Sequence, residues 1–77
     1  MQQFTGYIAR PGDAPFILFQ GSFLDIRDKL LYHVMVEYDS PASRKLCARL
    51  EDLTEDTRNW VGRLDGLEFG LLREAKK

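Results

Sequence analysis

The chain has 77 residues and a formal net charge of −1, from 11 basic and 12 acidic side chains. This length predicts a single domain, residues 1–77. The balanced charge argues against an acidic DNA mimic and against a strongly basic nucleic-acid binder. A single cysteine excludes an internal disulfide, and no apolar run is long enough to span a membrane. With no apolar leader after Met1, we expect a cytoplasmic protein without membrane association.

Two segments rich in aromatic and β-branched residues, 4–10 and 16–20, come first in the chain. The five residues 11–15, Pro-Gly-Asp-Ala-Pro, are turn formers, so we predict a β-hairpin with a five-residue loop. The second segment is apolar at positions that would face both sides of a sheet. It is therefore predicted to be an inner strand.

The segment after this hairpin carries two periodicities. Apolar residues at helical spacing predict a helix over 23–36: Phe23, Ile26, Leu30 and Val34. Ser22 followed by Asp25 is a weak form of the capping box that begins helices. Over 32–38, however, Tyr and Val alternate with other residues, which is typical of a strand. A strand there would change the predicted order from ββααββ to βββαββ.

The segment 40–53 has the clearest helical signals. Ser40 can cap a helix, and Pro41 fits its first position because the missing N–H has no partner there. Four apolar residues then form one stripe, with Cys47 at its edge: Ala42, Leu46, Leu50 and Leu53. We expect this stripe to carry the core and the helix to end near Thr54.

Asp65-Gly66 lies between two apolar segments and predicts a two-residue hairpin turn. The predicted pairs are Leu64 with Leu67, Arg63 with Glu68, Gly62 with Phe69, and Trp60 with Leu71. One face would then be lined by Trp60, Leu64, Leu67, Phe69 and Leu71. The whole chain is predicted to be an α+β domain, an antiparallel sheet of two hairpins with one or two helices packed on one face.

Few side chains suggest catalysis or metal binding. His33 and Cys47 are the only residues of their types, and neither has a ligand partner at a recognisable spacing. Cys47 borders the apolar stripe, where a cysteine behaves as a small hydrophobe. The glycines match no phosphate-binding loop. We therefore expect no enzymatic activity, no metal and no cofactor.

The outer side of the second helix carries charges of both signs. Basic residues lie toward its start and acidic residues toward and beyond its end: Arg44, Lys45, Arg49, Glu51, Asp52, Glu55 and Asp56. This arrangement opposes the helix dipole, so either the charges pair within the helix or they serve a partner. The partner could be another protein, or a second copy in an antiparallel homodimer.

We therefore predict a small non-catalytic protein-interaction module, an adaptor or an inhibitor of a larger protein machine, of the kind that phages and mobile elements encode. The alternative is single-stranded nucleic-acid binding through the N-terminal hairpin and the charges near it. Its candidate residues are Tyr7, Arg10, Phe19, Arg27 and Lys29. We rank it second, because aromatic residues in a small sheet usually belong to the core and no RNA-recognition motif is present. No motif assigns the chain to a family.

Overall fold

The computed structural model of the protein describes residues 2–37 and 39–74. Its elements follow the predicted order ββααββ: β1 (Phe4–Ala9), β2 (Ile17–Gly21), α1 (Phe23–Glu37), α2 (Pro41–Glu51), β3 (Asn59–Leu64) and β4 (Leu67–Arg73). The predicted α+β class is confirmed. The alternative with a strand over 32–38 is wrong, because α1 continues to Glu37; Tyr38 lies outside the described residues.

Over residues 2–37 and 39–74 the sheet has four antiparallel strands, in the order β2-β1-β4-β3. The two hairpins join through β1 and β4, which pair from Phe4 with Arg73 to Ala9 with Glu68. β2 is therefore an edge strand, and the prediction of an inner strand is wrong. Its Phe19 is half-buried beneath α1, whereas Leu18 on the other face is 64% exposed. Apolar residues on both faces of a strand therefore do not by themselves show that it has a neighbouring strand on each side.

Local turn chemistry sets both hairpins. In the C-terminal one every predicted pair is confirmed, and Asp65 and Gly66 have φ of 51° and 76°, as this turn requires. The N-terminal loop is longer than predicted, because β1 ends at Ala9 and β2 begins only at Ile17. Within that loop the Asp13 N–H donates to the Arg10 carbonyl at 2.9 Å.

The predicted cap of α2 is a complete capping box. The Ser43 N–H donates to Ser40 Oγ at 3.1 Å, and the Ser40 N–H donates to Ser43 Oγ at 2.9 Å. These bonds allow Ser43 to be buried with Leu46, Cys47 and Leu50, because its hydroxyl is satisfied. Ala42 is exposed instead, so its predicted place on the buried stripe is wrong.

The core lies between the sheet and the two helices, which share one face. A Cβ built on Gly6 would meet Ile26 of α1, and one on Gly62 would meet Leu46 of α2. Among the described residues, seven large side chains are almost fully buried: Phe4, Ile26, Leu30, Val34, Leu50, Phe69 and Leu71. Three of them belong to α1 and one to α2. Contrary to the prediction, α1 carries most of the helical core, because it packs on β1, β2 and β4 whereas α2 packs on β3.

Candidate functional site

The sheet face opposite the helices, hereafter the open face, is covered by neither helix. One row of residues crosses it through all four strands: Leu18, Tyr7, Gly70 and Val61. Leu18 is 64% exposed and Val61 44% exposed, although both are apolar. The row therefore presents apolar side chains to solvent at both edges of the sheet.

Tyr7 stands at the centre of the open face and is held in place from two sides. Its hydroxyl donates to Glu68 Oε2 at 2.7 Å. Its ring lies against Gly70, where the absence of a side chain makes room, since a Cβ there would overlap the ring. Burial, and next the bond to Glu68, raise the pKa of Tyr7 to about 12. The phenol is therefore neutral and oriented at physiological pH.

The rows on either side give the open face a more polar border. On one side, Leu72 and Thr5 are half-buried between the exposed Gln20 and Asn59. On the other, Arg63 is paired in register with Glu68, and their side chains approach to 3.4 Å. The open face thus has an apolar middle with hydrogen-bonding and charged groups around it.

The charged residues predicted to bind a partner all lie at the surface of α2 and the turn after it. Arg44 Nη1 is 3.7 Å from Asp39 Oδ1, but both side chains are largely in solvent, so the contact is weak. The expected pairing within the helix is not observed. Among the described residues, no ion pair joins Lys45 or Arg49 to Asp52.

The residues of the nucleic-acid alternative are not brought to one surface. In the N-terminal hairpin Tyr7 pairs with Leu18, whereas Phe19 pairs with Gly6. Because strand side chains alternate, Tyr7 lies on the open face and Phe19 on the helix face. These two aromatic residues therefore do not form one surface on which bases could stack.

The other members of that set have separate surroundings. Lys29 Nζ lies 5.6 Å from the centre of the Phe19 ring. The guanidinium of Arg27 lies 5.9 Å from the Phe23 ring, and its Nη2 is 3.3 Å from Asp28 Oδ1. Arg10 is exposed in the N-terminal loop, outside the strands. Nucleic-acid binding would need these aromatic and basic residues to lie together, and within this set only Lys29 and Phe19 do so.

The histidine and the cysteine both pack against other side chains. Cys47 is buried in the core, and burial, followed by the nearby charge of Glu51, raises the pKa of its thiol. The His33 ring stacks on Phe19, with ring centres 6.5 Å apart and planes 9° from parallel. A protonated, enclosed thiol is a poor nucleophile, which agrees with its interpretation as a small hydrophobe.

Sequence reasoning did not identify the open face, although a signal for it was present. The pairing of Arg63 with Glu68 could be read from the Asp65-Gly66 turn. Two charged residues opposite each other mark the solvent side of a hairpin. With a period of two, Val61, Gly70 and Leu72 must then share that solvent side. Val61 and Leu72 are apolar although they face solvent, and this pattern could have indicated the open face from the sequence.

Comparison of the chain with protein-family models, with curated proteins and with solved structures finds no match. Any functional interpretation therefore depends on the surfaces of the chain itself. Across 2–37 and 39–74, no helix has the length and apolar character needed to cross a membrane. Over the same residues, no three His, Cys, Asp or Glu side chains lie where they could hold one metal ion.

Proposed function

We propose that this protein is a non-catalytic interaction module that binds another protein through the open face of its sheet. The observation that carries the proposal is the uncovered row from Leu18 through Tyr7 to Val61. An antiparallel sheet with one face on the core normally alternates apolar inward and polar outward residues. Outward apolar residues that adjoin one another are typical of protein-binding surfaces.

The organisation of the open face supports a protein as its ligand. Specific interfaces have a desolvated centre, often with tyrosine as an anchor, and a polar border. Tyr7 supplies such an anchor, already fixed by Glu68 and Gly70, so little side-chain freedom would be lost on binding. The expected partner presents an apolar surface with acceptors facing Arg63 and hydrogen-bonding groups facing Gln20 and Asn59.

The placement of the reactive side chains supports the non-catalytic part of the proposal. The Cys47 thiol is enclosed by the core, and the His33 imidazole is stacked on Phe19. Nucleophilic catalysis requires a nucleophile and a base within hydrogen-bond reach of each other. The Cys47 thiol and the His33 imidazole do not form such a pair. Whether the module acts as an adaptor or as an inhibitor depends on the partner.

The charged outer face of α2 is the competing docking surface. Its basic end at Arg44 and its acidic end at Glu51 and Asp52 are exposed. A charged, solvated helix face is common, and charges at an interface border act mainly on association rate. The open face is the better supported surface, because burying exposed apolar side chains lowers the free energy, whereas burying exposed charges raises it unless they are paired.

The test compares one variant on each surface. Tagged wild-type protein captures its partner from an extract of the native host, mass spectrometry identifies it, and binding is then measured with the purified partner. Val61→Lys places a charge in the open face, and Arg44→Glu combined with Arg49→Glu reverses charge on α2. We expect Val61→Lys to weaken binding by at least about tenfold, or about 1.4 kcal/mol, and the double reversal to have little effect.

The opposite result, with binding lost only in the double reversal, would move the docking site to α2 and overturn the open-face proposal. Circular dichroism of each variant checks that the fold is intact. A third measurement addresses nucleic acid directly: affinity for a single-stranded oligonucleotide that falls steeply with salt would favour the alternative function.

A further inference from the structure

β2 lies at an edge of the sheet but, like a typical inner strand, it has no charged side chain. No charged residue occurs from Ala14 to Leu24, which includes all of β2. Natural edge strands are usually protected from pairing with other chains by lysine, proline, a bulge or an inward-pointing charge. β2 has none of these within its five residues, and among the described strands only β1 pairs with it.

The apolar surface continues from β2 onto the flank of α1 above it. Lys29 and His33 both contact Phe19 of β2, which identifies the flank that faces this edge. Val36 lies on the same flank by helical spacing and is 62% exposed. Tyr32, whose ring meets His33 edge to face, is 64% exposed.

Exposed apolar side chains are therefore concentrated at one side of the molecule. Among the described residues seven large hydrophobic side chains are exposed. Four of them lie in β2, at the residue directly before β2, or on this flank of α1. These four are Phe16, Leu18, Tyr32 and Val36. The opposite edge, β3, contributes only Val61.

We infer that β2 is a self-association edge. Two copies of the chain pair their β2 strands antiparallel across a two-fold axis, which joins two four-stranded sheets into one continuous sheet. The occupant is a second copy because a two-fold axis sets β2 against itself, and an uncharged strand then brings no like charges together. The α1 flanks of the two copies meet above the new strand pair, where Val36 and Tyr32 lose solvent exposure.

The nearest cation, Lys29, does not prevent this approach. Its ammonium group lies over the Phe19 ring, and its flexible stem lets it turn toward solvent when the second copy arrives. At β3, by contrast, Arg63 lies within the strand and Arg58 directly before it, and both are exposed. The charge distribution thus selects β2 rather than β3 as the edge that pairs.

The expected dimer is weak. Five residues span roughly 17 Å at about 3.4 Å each, and the molecule is 16 Å in its shortest dimension. An interface of that cross-section, about 270 Å² on each copy, is well below the total of about 1,200–2,000 Å² that specific interfaces bury. Association is therefore concentration-dependent. Where it occurs, the open faces of the two copies become one surface; this last consequence rests on the proposed function, whereas the strand pairing does not.

Sedimentation equilibrium of the full chain tests the pairing, over concentrations from about 10 µM to about 1 mM. Leu18→Lys places a lysine at the β2 edge, and Val61→Lys is its matched control. Both positions lie in the same row of the open face and differ in the edge they occupy. We expect wild type and Val61→Lys to shift from monomer toward dimer mass, and Leu18→Lys to remain monomeric. Circular dichroism confirms that each variant is folded.

Hydrogen exchange distinguishes strand pairing from other contacts. Amide protons of β2 should exchange more slowly as the wild-type concentration rises, whereas those of β3 should not change. A wild type that stays monomeric throughout overturns the inference, as does a dimer that survives in both variants. A dimer lost in both variants also overturns it, because the contact would then be face to face.

The failure of this inference and that of the proposed function have different signatures. If Val61→Lys still binds the captured partner with unchanged affinity while Leu18→Lys alone is monomeric, the open-face proposal fails and the β2 pairing stands. If the wild type is monomeric but Val61→Lys loses the partner, the pairing fails and the open-face proposal stands.

Discussion

The two edge strands of the sheet, β2 and β3, differ in the charge that they present to solvent. β3 begins at Asn59, carries Arg63 and has Arg58 directly before it, so its border with solvent is polar. β2 has no charge, and Leu18 is exposed on it. An unpaired edge presents free backbone groups in either case, and the side chains decide whether another chain can approach. The comparison indicates that the ability of an edge strand to pair with another chain depends on its charges as well as on its position in the sheet.

The largest expected effect concerns the core that both edges share. Leu50 is fully buried on α2, the helix that packs on β3. Leu50→Ala should lower the free energy of unfolding by about 2–5 kcal/mol, because a cavity replaces buried methyl groups. A domain this small has little stability in reserve, so the variant is expected to be largely unfolded. Chemical denaturation is the measurement, and a loss under about 0.5 kcal/mol would contradict the placement of Leu50 in the core.

The second prediction concerns the middle of the row that connects the two edges. Gly70→Ala forces a methyl group into the space of the Tyr7 ring and should lower the free energy of unfolding by about 1–3 kcal/mol. The same change in a Tyr7→Ala background should cost clearly less, because the overlapping ring is gone. Equal costs in both backgrounds, measured by thermal or chemical denaturation, would show that the two residues do not pack together.

The third prediction reduces the difference in charge between the two edge strands. Arg63 is mostly exposed, and its contact with Glu68 is 3.4 Å long, so Arg63→Leu should change stability by less than about 0.5–1 kcal/mol. It should, however, leave both edge strands without a charge inside the strand, with Arg58 remaining only before β3. We expect oligomers larger than a dimer in sedimentation velocity at high concentration. Arg49→Leu, which removes an arginine from α2 instead, is the control and should not change the oligomeric state.

The last prediction is a pH dependence at the centre of the open face, and it is confined to alkaline pH. The pKa of Tyr7 is raised from 10 to about 12, so the folded state holds this proton more tightly than the unfolded state. Its contribution to stability is therefore complete below about pH 10 and is lost as the pH rises toward about 12. Tyr7→Phe should show a shallower loss of stability over that range.

Thermal unfolding of both proteins at several alkaline pH values measures this difference. The pKa of the Cys47 thiol is also raised, so part of the alkaline loss occurs in both proteins and cancels in the comparison. Parallel curves for wild type and Tyr7→Phe would show that the Tyr7 proton does not stabilise the fold.

Some features of the candidate site were within reach of the sequence and others were not. The pairing of Arg63 with Glu68 followed from the Asp65-Gly66 turn, and Val61 could have been placed on the same face as Arg63 by period two. The juxtaposition of Tyr7 with Gly70 could not, because it depends on β1 pairing with β4 from opposite ends of the chain. The N-terminal hairpin has no such pair of opposed charges, so a period of two alone does not show which of its faces the helices will cover.

The sequence by itself determined the elements whose signals are local. Ser40 and Pro41 begin α2, and the need for positive φ at Asp65-Gly66 sets the register of the C-terminal hairpin. Such signals act within a few residues, so they do not depend on the rest of the fold. They account for α2 and the C-terminal hairpin, whereas the order ββααββ also depended on the helical spacing of apolar residues in α1.

Only the tertiary structure decided which strands became edges and how the core was divided. β2 has the composition of an inner strand, yet it lies at an edge because β4 occupies the other side of β1. Similarly, α2 has the clearer helical pattern, yet α1 buries more large side chains because it packs on three strands. Strand order and helix placement depend on long-range packing of the whole chain, and the free-energy differences that choose among such arrangements are not encoded in any one segment.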